Sequence, residues 1–284
     1  RPAKTKLPPP AQVRATSLED HLANRQSEPH AHAIVLDPIF GRIAFVPDLG
    51  TDVVRQYVFL PVLGGGLAPA GAVACGPPGH AAHGPRYIEF CKLGRNAFVV
   101  NELSSSVSVF RFESELAAHV ADKGPDAKNP RALLTLLQLV STLPLPAPPP
   151  TAYSLGKNTC GRVAVCPSGR HLLVSNRGHD SIAVFALERP GGYDADATLR
   201  PHAIIKTMGG TPRHFQFAAE GRYVIVANQD TDNLSVFRFD SDSGALEFTG
   251  KTAACPSPNF VCAQPPAVRS SSAYPIGVCN SNEW

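Results

Sequence analysis

Short apolar runs alternate with polar turns along most of the chain, and they recur with fixed spacing. In one stretch, an apolar run beginning at Ala97 ends at Asn101, a Ser-rich turn follows, and a second alternating run ends at Phe110. Two strand-like runs joined by turn residues are typical of a β-hairpin. The same unit occurs four times. Its Asx and aromatic residues are Asp48 and Tyr57, Asn101 and Phe110, Asn176 and Phe185, and Asn228 and Phe237.

The spacing inside these four units is constant. The aromatic residue follows the Asx residue by nine positions. A Gly-Arg pair, such as Gly94-Arg95, begins seven positions before the Asx residue. Each unit also has apolar runs before and after the hairpin, which gives four short strands in roughly fifty residues. Such units are typical of the blades of a β-propeller. The pattern therefore predicts an all-β fold, a propeller of four-stranded antiparallel blades with about four blades in this chain.

The repeats divide the chain into three parts. We expect an irregular N-terminal arm over residues 1–29, a propeller domain over 30–262 and an irregular tail over 263–284. The repeats fall near 30–80, 84–144, 158–209 and 210–262.

Two stretches interrupt the second repeat. A charged insertion over 113–129 is expected to be a loop. The Leu-rich run over 132–140 is compatible with a fourth strand or with a short helix, and the pattern leaves both open. The Pro-rich stretch over 143–150 is expected to be an extended surface connection.

When the four repeats are aligned, most equivalent positions carry residues of similar type, but at two positions the residue type differs from repeat to repeat. Because the first strand of each blade lines the central channel, variable polar residues there place different groups around one axis. That arrangement predicts a ligand site at the mouth of the channel. The column before the first strands contains His32, Arg86, Gly161 and Arg213, and the column after the Asx residues contains Leu49, Glu102, Arg177 and Gln229.

Composition narrows the function classes. The chain is 43% hydrophobic and 17% charged, as expected of a globular protein with a substantial core. The formal net charge of +3 is too small to indicate a nucleic-acid partner, and no apolar run is long enough for a transmembrane helix. We therefore expect a small-molecule ligand and a cytoplasmic protein. The basic, acid-free residues 1–18 leave two further readings open, an organellar (plastid or mitochondrial) transit remnant or a disordered arm.

The cysteines favour free thiols over a disulfide framework. Their number is odd and no two are spaced as Cys-x-x-Cys, so we expect buried thiols in a reducing compartment. The seven are Cys75, Cys91, Cys160, Cys166, Cys255, Cys262 and Cys279.

Several motifs together resemble one known family, the seven-bladed β-propeller lactonases. This family contains the propeller-type 6-phosphogluconolactonases and the fungal 3-carboxy-cis,cis-muconate lactonising enzymes. The resemblance covers roughly residues 29–262. Its motifs are Pro29-His30-Ala31-His32-Ala33, Val46-Pro47-Asp48-Leu49-Gly50-Thr51-Asp52, Gly84-Pro85-Arg86, Asn101-Glu102-Leu103-Ser104-Ser105, Ser175-Asn176-Arg177-Gly178-His179-Asp180-Ser181-Ile182, Gly210-Thr211-Pro212-Arg213-His214-Phe215 and Ala227-Asn228-Gln229-Asp230.

The resemblance implies an active site that needs no metal or other cofactor. By motif, the functional set proposed for the muconate branch falls on His32, Arg86, Glu102 and Arg177. Tyr87 and Arg162 depart from the family, whose members usually carry His and an acid there. The resemblance also implies about three further blades, more than 1–29 can supply. We therefore expect one of two arrangements: the four blades close on themselves, or a partner chain or a second copy covers the open edge.

The function that follows is hydrolysis of a phosphorylated or carboxylated sugar lactone, with 6-phosphogluconolactone as the first candidate. Glu102 or His32 would activate water, and guanidinium groups would hold the anion. The alternatives are a non-catalytic propeller scaffold descended from such an enzyme, and a muconate-type cycloisomerase. Further substrate contacts are expected from Arg213, His214, Asn101, Asn176 and Gln229.

Overall fold

The computed structural model describes residues 25–60, 65–78, 82–91, 94–126, 130–144, 158–192 and 195–263. In this part of the chain, sixteen strands form four separate four-stranded sheets, each antiparallel and each in sequence order from its first to its last strand. The predicted all-β fold and its four blades are therefore confirmed. Most of the expected arm and tail lies outside the described residues.

The first two sheets correspond to the first two repeats. The first sheet consists of β1 (Val35–Leu36), β2 (Ile43–Asp48), β3 (Val53–Leu60) and β4 (Gly66–Ala74). The second consists of β5 (Pro85–Phe90), β6 (Asn96–Asn101), β7 (Ser106–Phe112) and β8 (Leu134–Ser141).

The third and fourth sheets repeat the same order. The third sheet consists of β9 (Thr159–Val165), β10 (His171–Arg177), β11 (Ser181–Glu188) and β12 (Thr198–Lys206). The fourth consists of β13 (Pro212–Ala218), β14 (Tyr223–Asn228), β15 (Asn233–Phe239) and β16 (Leu246–Ala254).

The insertion in the second repeat is not the expected loop. Residues Ser114–Lys123 form an α-helix, α1, whose buried side chains Ala117, Val120 and Ala121 pack into the core between the first two sheets. The spacing of these three residues places them on one helical face, and their burial stabilises the helix. The Leu-rich run, which the sequence left open, is strand β8. The Pro-rich stretch lies outside the described residues from position 145 onward.

Apolar side chains fill the space between consecutive sheets. Phe45 and Phe110 lie between the first and second sheets, Phe98 and Phe185 between the second and third. Because most sheets are covered on both faces, β6 is buried along its whole length, which explains its continuous apolar run. Burial of each such aromatic ring stabilises the fold by roughly 1.5–3 kcal/mol.

The inner strands of the second, third and fourth sheets lie side by side and line the centre of the arc, and the first sheet meets them through β2. β5 contacts β2 and β9, and β13 contacts β9. In the first sheet, the inner path begins before β1, where Ala31 bridges to Asp48 and the His32 amide donates a 3.1 Å hydrogen bond to the carbonyl of Pro47. The predicted channel-lining positions are therefore neighbours in space.

A repeated contact joins each sheet to the next. The residue four positions after each Asx residue lies in the tight turn between the second and third strands and has a positive φ angle. We call these four residues the clasp residues. They are Asp52 (φ 60°), Ser105 (φ 49°), Asp180 (φ 52°) and Asp232 (φ 51°).

Asp52, Ser105 and Asp180 bond the chain just before the next inner strand, and Asp232 bonds the segment that follows β16. An Oδ1 of Asp52 accepts the Gly84 amide at 2.6 Å, and that of Asp180 accepts the Thr211 amide at 2.8 Å. Asn158 donates to the hydroxyl of Ser105 at 2.8 Å. The Asp232 carboxylate accepts the amide of Ser257 at 2.7 Å. The clasp residues thus fix the register of one sheet against the next, which positions the inner strands.

Two further features concern the described residues alone. None of their helices has the length and hydropathy that a membrane crossing requires. Six cysteines are present as free thiols, and Cys279 lies outside the described range. Cys75, Cys91, Cys160, Cys166 and Cys255 are buried, and Cys262 is exposed.

Candidate active site at the channel mouth

The carboxylate of Glu102 lies at the centre of a group of arginines. Glu102 follows β6, its side chain is 3% exposed, and its amide donates to the Gly84 carbonyl at 2.7 Å. Arg86 Nε and Arg177 Nη2 lie 2.9 Å and 2.8 Å from its Oε2, and Arg25 Nη2 donates to its Oε1. One negative charge therefore faces three positive charges, and both carboxylate oxygens are occupied.

Backbone carbonyls of the third sheet fix two of these arginines. Arg86 donates from Nη1 to the carbonyl of Gly161 at 2.6 Å, and Arg177 donates from Nη2 to the carbonyl of Cys160 at 2.8 Å. Gly161 has no room for a side chain, since a Cβ would lie 2.7 Å from the carbonyl oxygen of Arg213. Gly161 is the third-repeat residue of the variable inner-strand column, and it contributes its backbone carbonyl to the site in place of a side chain.

The electrostatics keep Glu102 ionised. Burial alone would raise the pKa of its carboxyl, but the charges of Arg177, Arg86 and Arg25 outweigh burial and lower the pKa to about 2. Burial and the neighbouring Arg177 lower the pKa of Arg86 to about 10, so Arg86 remains charged at neutral pH. A carboxylate of such low pKa is a weak base. Glu102 is therefore better suited to orient the arginines than to remove a proton from water.

His32 is the better candidate for a base. Burial, followed by the charge of Arg86, lowers its pKa to about 4, so the ring is neutral at pH 7. Its Nε2 is buried and has no hydrogen-bond partner among the described residues. The ring stacks on that of His30 with a centroid distance of 4.8 Å. A neutral ring with an unpaired nitrogen retains the capacity to accept a proton.

Arg213 extends the positive surface into the fourth sheet. Its Nη1 donates to Oε1 of Gln229 at 3.2 Å, so the two predicted residues contact each other. Burial and the charge of Arg177 lower the pKa of Arg213, and the charge of Glu102 opposes them. The charges of Arg177 and Glu102 therefore act on Arg213, so Arg213 belongs to the same charged cluster.

His214 does not fit the expected contact with a substrate. It is only 8% exposed, and its Nδ1 accepts the amide of Val261 at 3.2 Å. The ring also packs on Phe260 with a centroid distance of 4.1 Å. Burial, together with the charges of Arg162 and Arg86, lowers its pKa to about 3. His214 is a neutral packing residue that joins the segment after β16 to β13.

Asn101 and Asn176 also have structural positions in place of the expected substrate contacts. Both side chains are completely buried. The amide of Asn101 donates to Ser106 at 3.0 Å and to Ser108 at 2.8 Å, and that of Asn176 donates to the carbonyl of Thr142 at 2.9 Å. The amide of Asn101 ties the hairpin turn to its own sheet, and that of Asn176 ties the third sheet to the end of the second. Both side chains are therefore held by internal contacts.

Two features of the site were not predicted from the sequence. Arg25 lies in the stretch expected to be an irregular arm, yet it contacts the central carboxylate. Tyr87 and Arg162, the two departures from the family pattern, contact each other, with the guanidinium carbon 3.9 Å from the ring centroid. Arg162 also lies 3.3 Å from Glu89. The two residues that differ from the family pattern therefore pack against each other on neighbouring inner strands.

Comparison with known proteins agrees with this architecture. A family model described as "Lactonase, 7-bladed beta-propeller" matches residues 2–263. A 6-phosphogluconolactonase of Bacillus subtilis is 30% identical over 235 residues, which cover 82% of this chain and 57% of that protein. A 6-phosphogluconolactonase of Formosa agariphila is 27% identical over 209 residues, which cover 72% of this chain and 49% of that protein.

A solved structure shows the same relationship. The periplasmic gluconolactonase PpgL of Pseudomonas aeruginosa superposes with a TM-score of 0.65 at 33% identity, covering 83% of this chain and 57% of that one. The chain therefore spans about half to three fifths of the length of these relatives.

Proposed function

Because the chain belongs to the seven-bladed β-propeller lactonase family, we propose that it contributes the active site of a lactone hydrolase. The substrate is a sugar-type lactone that carries a phosphate or carboxylate, with 6-phosphogluconolactone as the first candidate, and no metal is required. One observation carries the proposal. Arg25, Arg86 and Arg177 surround the single carboxylate of Glu102, beside the neutral ring of His32.

The charge balance favours an anionic substrate. Three guanidinium groups against one carboxylate leave an excess of two positive charges, and Arg213 adds a third. Guanidinium groups match phosphate and carboxylate oxygens in geometry as well as in charge. Water is partly excluded here, since the side chains of Arg86 and Arg177 are only 14% and 11% exposed, so each contact with an anion is strengthened.

The proposed reaction begins with proton transfer to His32. Its Nε2 takes a proton from a water molecule as the water oxygen attacks the lactone carbonyl carbon. Negative charge develops on the carbonyl oxygen of the tetrahedral intermediate, and Arg86 or Arg177 stabilises it. The ring C–O bond then breaks, and the imidazolium gives its proton to the leaving alkoxide. The product is an open hydroxy acid, and His32 is neutral again.

The low pKa of His32 fits this cycle. An imidazolium with a pKa of about 4 is a stronger acid than an ordinary imidazolium, which suits protonation of the leaving alkoxide. The charge of Arg86 is one cause of that low pKa. A bound anion would offset this charge, so substrate binding would raise the basicity of His32 when proton removal is needed.

Hydrolysis of 6-phosphogluconolactone by the purified protein tests the proposal, measured against the spontaneous rate with EDTA present. We expect a rate above the spontaneous one that EDTA does not change and that His32→Gln, purified in parallel, lacks. Only the spontaneous rate on this lactone and on carboxymuconolactone would contradict the proposal and favour the scaffold alternative. Formation of carboxymuconolactone from the open muconate, without hydrolysis of either lactone, would favour the cycloisomerase.

A further inference from the structure

Arg25 reaches the candidate site from outside the repeats. Its guanidinium donates to Oε1 of Glu102 across a separation of 77 residues. The sheets supply the other arginines of the cluster, whereas Arg25 belongs to the segment that precedes the first inner strand. The side chain is 34% exposed, compared with 14% for Arg86 and 11% for Arg177. Arg25 is thus the member of the Glu102 cluster that is most open to solvent.

The backbone around Arg25 holds this segment in place. Gln26 donates from Nε2 to the carbonyl of Leu49 at 2.8 Å, and the amide of His30 donates to Asp48 at 2.8 Å. Glu28 passes so close to Gly50 that a Cβ there would lie 1.8 Å from the Glu28 carbonyl oxygen. The segment is therefore fastened to the turn between β2 and β3, which delivers Arg25 to the neighbouring sheet.

The geometry points to Arg25 as a specificity-determining residue that binds the anionic group of the substrate at the mouth of the channel. The inference rests on the proposed function and adds the position of the substrate's charge. The contact with Glu102 uses one Nη atom, and a guanidinium has five N–H donors. Arg25 can therefore keep its contact with Glu102 and bind a phosphate or carboxylate oxygen at the same time.

The more buried arginines would then serve the reacting end of the substrate. Arg86 is more buried than Arg25, and its charge lowers the pKa of His32 more than that of Arg25 does, so it suits the developing oxyanion beside the proposed base. Arg25 lies on the solvent side of the same carboxylate. A lactone with its ring directed inward and its phosphate directed outward would meet both groups.

The test compares a charged and an uncharged lactone of the same sugar acid. Arg25→Gln should lower kcat/KM for 6-phosphogluconolactone by about 10- to 100-fold, mainly through KM, as expected for loss of one charge-assisted hydrogen bond. For unphosphorylated gluconolactone the change should be less than about threefold, since that ligand lacks the anionic group. Equal losses on both lactones would indicate that Arg25 only holds Glu102 in place, and would overturn the inference.

Arg42→Gln is a matched control. Arg42 is 31% exposed and lies 3.8 Å from Asp122 on α1, away from the cluster. It should leave both lactones unaffected.

Calorimetry separates failure of this inference from failure of the proposed function. 6-Phosphogluconate and gluconate serve as ligands. We expect 6-phosphogluconate to bind more tightly than gluconate, and Arg25→Gln to remove most of that difference. Arg25-dependent binding by a protein that hydrolyses neither lactone would refute the proposed function and support the inference. Binding of 6-phosphogluconate that is the same in wild type and Arg25→Gln, or that is undetectable, would overturn the inference.

Discussion

Arg177, at the end of β10 in the third sheet, places its Nη2 2.8 Å from Oε2 of Glu102 in the second sheet. The same nitrogen donates to the carbonyl of Cys160 at 2.8 Å. One nitrogen of the guanidinium therefore connects the third sheet to the carboxylate of the second, and the length of the Arg side chain places it there.

Arg177→Lys should raise KM for 6-phosphogluconolactone about tenfold and change kcat less, because Lys keeps the charge but is shorter and lacks the other guanidinium N–H groups that would bind the substrate anion. Steady-state kinetics measure both parameters. Arg170→Lys is the control, because Arg170 is 62% exposed and pairs with the exposed Asp242. Unchanged kinetics in Arg177→Lys would show that charge alone suffices there.

Glu102→Gln should lower the free energy of unfolding by about 3–5 kcal/mol, because it leaves the surrounding guanidinium groups without a counter-charge. Urea denaturation followed by fluorescence measures the loss. Glu113→Gln is a suitable control, since Glu113 is 30% exposed and lies 3.8 Å from a single arginine, Arg111. A Glu102→Gln protein that is as stable as wild type, with a reduced kcat and an unchanged KM, would return Glu102 to the role of base.

His32→Gln should reduce kcat by about 10²–10⁴-fold with KM changed less than about threefold, since it removes the proposed proton acceptor and keeps a polar side chain. His30→Gln is the natural control because its ring stacks on His32. We expect it to retain most of the rate. Equal losses in the two variants would indicate that the stacked pair has a packing role only.

The pH dependence of kcat/KM should place its acid limb near pH 4. The group must be neutral to act as a base, and burial with the charge of Arg86 lowers the pKa of His32 to about 4 from the ordinary 6.5. Activity should therefore rise as the pH passes through about 4 and be constant from about pH 6 to 8. An acid limb centred near 6.5 would mean that another histidine, or His32 in a different environment, is the base.

Asp180→Ala should lower the free energy of unfolding by about 1–3 kcal/mol, because it removes the acceptor of the Thr211 amide from a residue at φ 52°. Asp180→Asn should change it by less than about 1 kcal/mol, since Asn keeps an acceptor and tolerates a positive φ. Urea denaturation of the two variants side by side measures the difference. Equal stability of the two variants would show that this clasp contact is unimportant.

The sequence predicted the four sheets because their signals are local. Alternation within strands and fixed spacing between turns are set by neighbouring residues, so both are visible in one sequence. The helix α1 was missed, although Ala117, Val120 and Ala121 have helical spacing. Its ten residues are too few and too charged for pattern alone to identify a helix whose stability depends on packing.

The site was predicted in part, for a different physical reason. The variable columns identified Arg86, Glu102 and Arg177 as neighbours, and the structure places them in contact. The Asx column was alike in all repeats, which is typical of a scaffold position. Asn101 bonds within its own sheet, and Asn176 also bonds to the neighbouring one. Arg25 could not be found this way because it has no counterpart in another repeat. The roles of these residues, the location in the cell and a partner at the open edge remain predictions.

The clasp residues give the array of sheets a polarity. At the three junctions between the described sheets, the hairpin turn of one sheet offers an acceptor and the entrance to the next inner strand presents an N–H donor, as Asp52 and Gly84 do. Such contacts are heterologous, so two sheets related by a two-fold axis could not form them. If one whole sheet were duplicated within the gene, every clasp acceptor would still face an N–H donor of the next sheet. A sheet inserted in the reverse orientation would lose the clasp contact on both of its sides. The unit in which this architecture can grow or shrink is therefore a complete sheet, always in the same orientation.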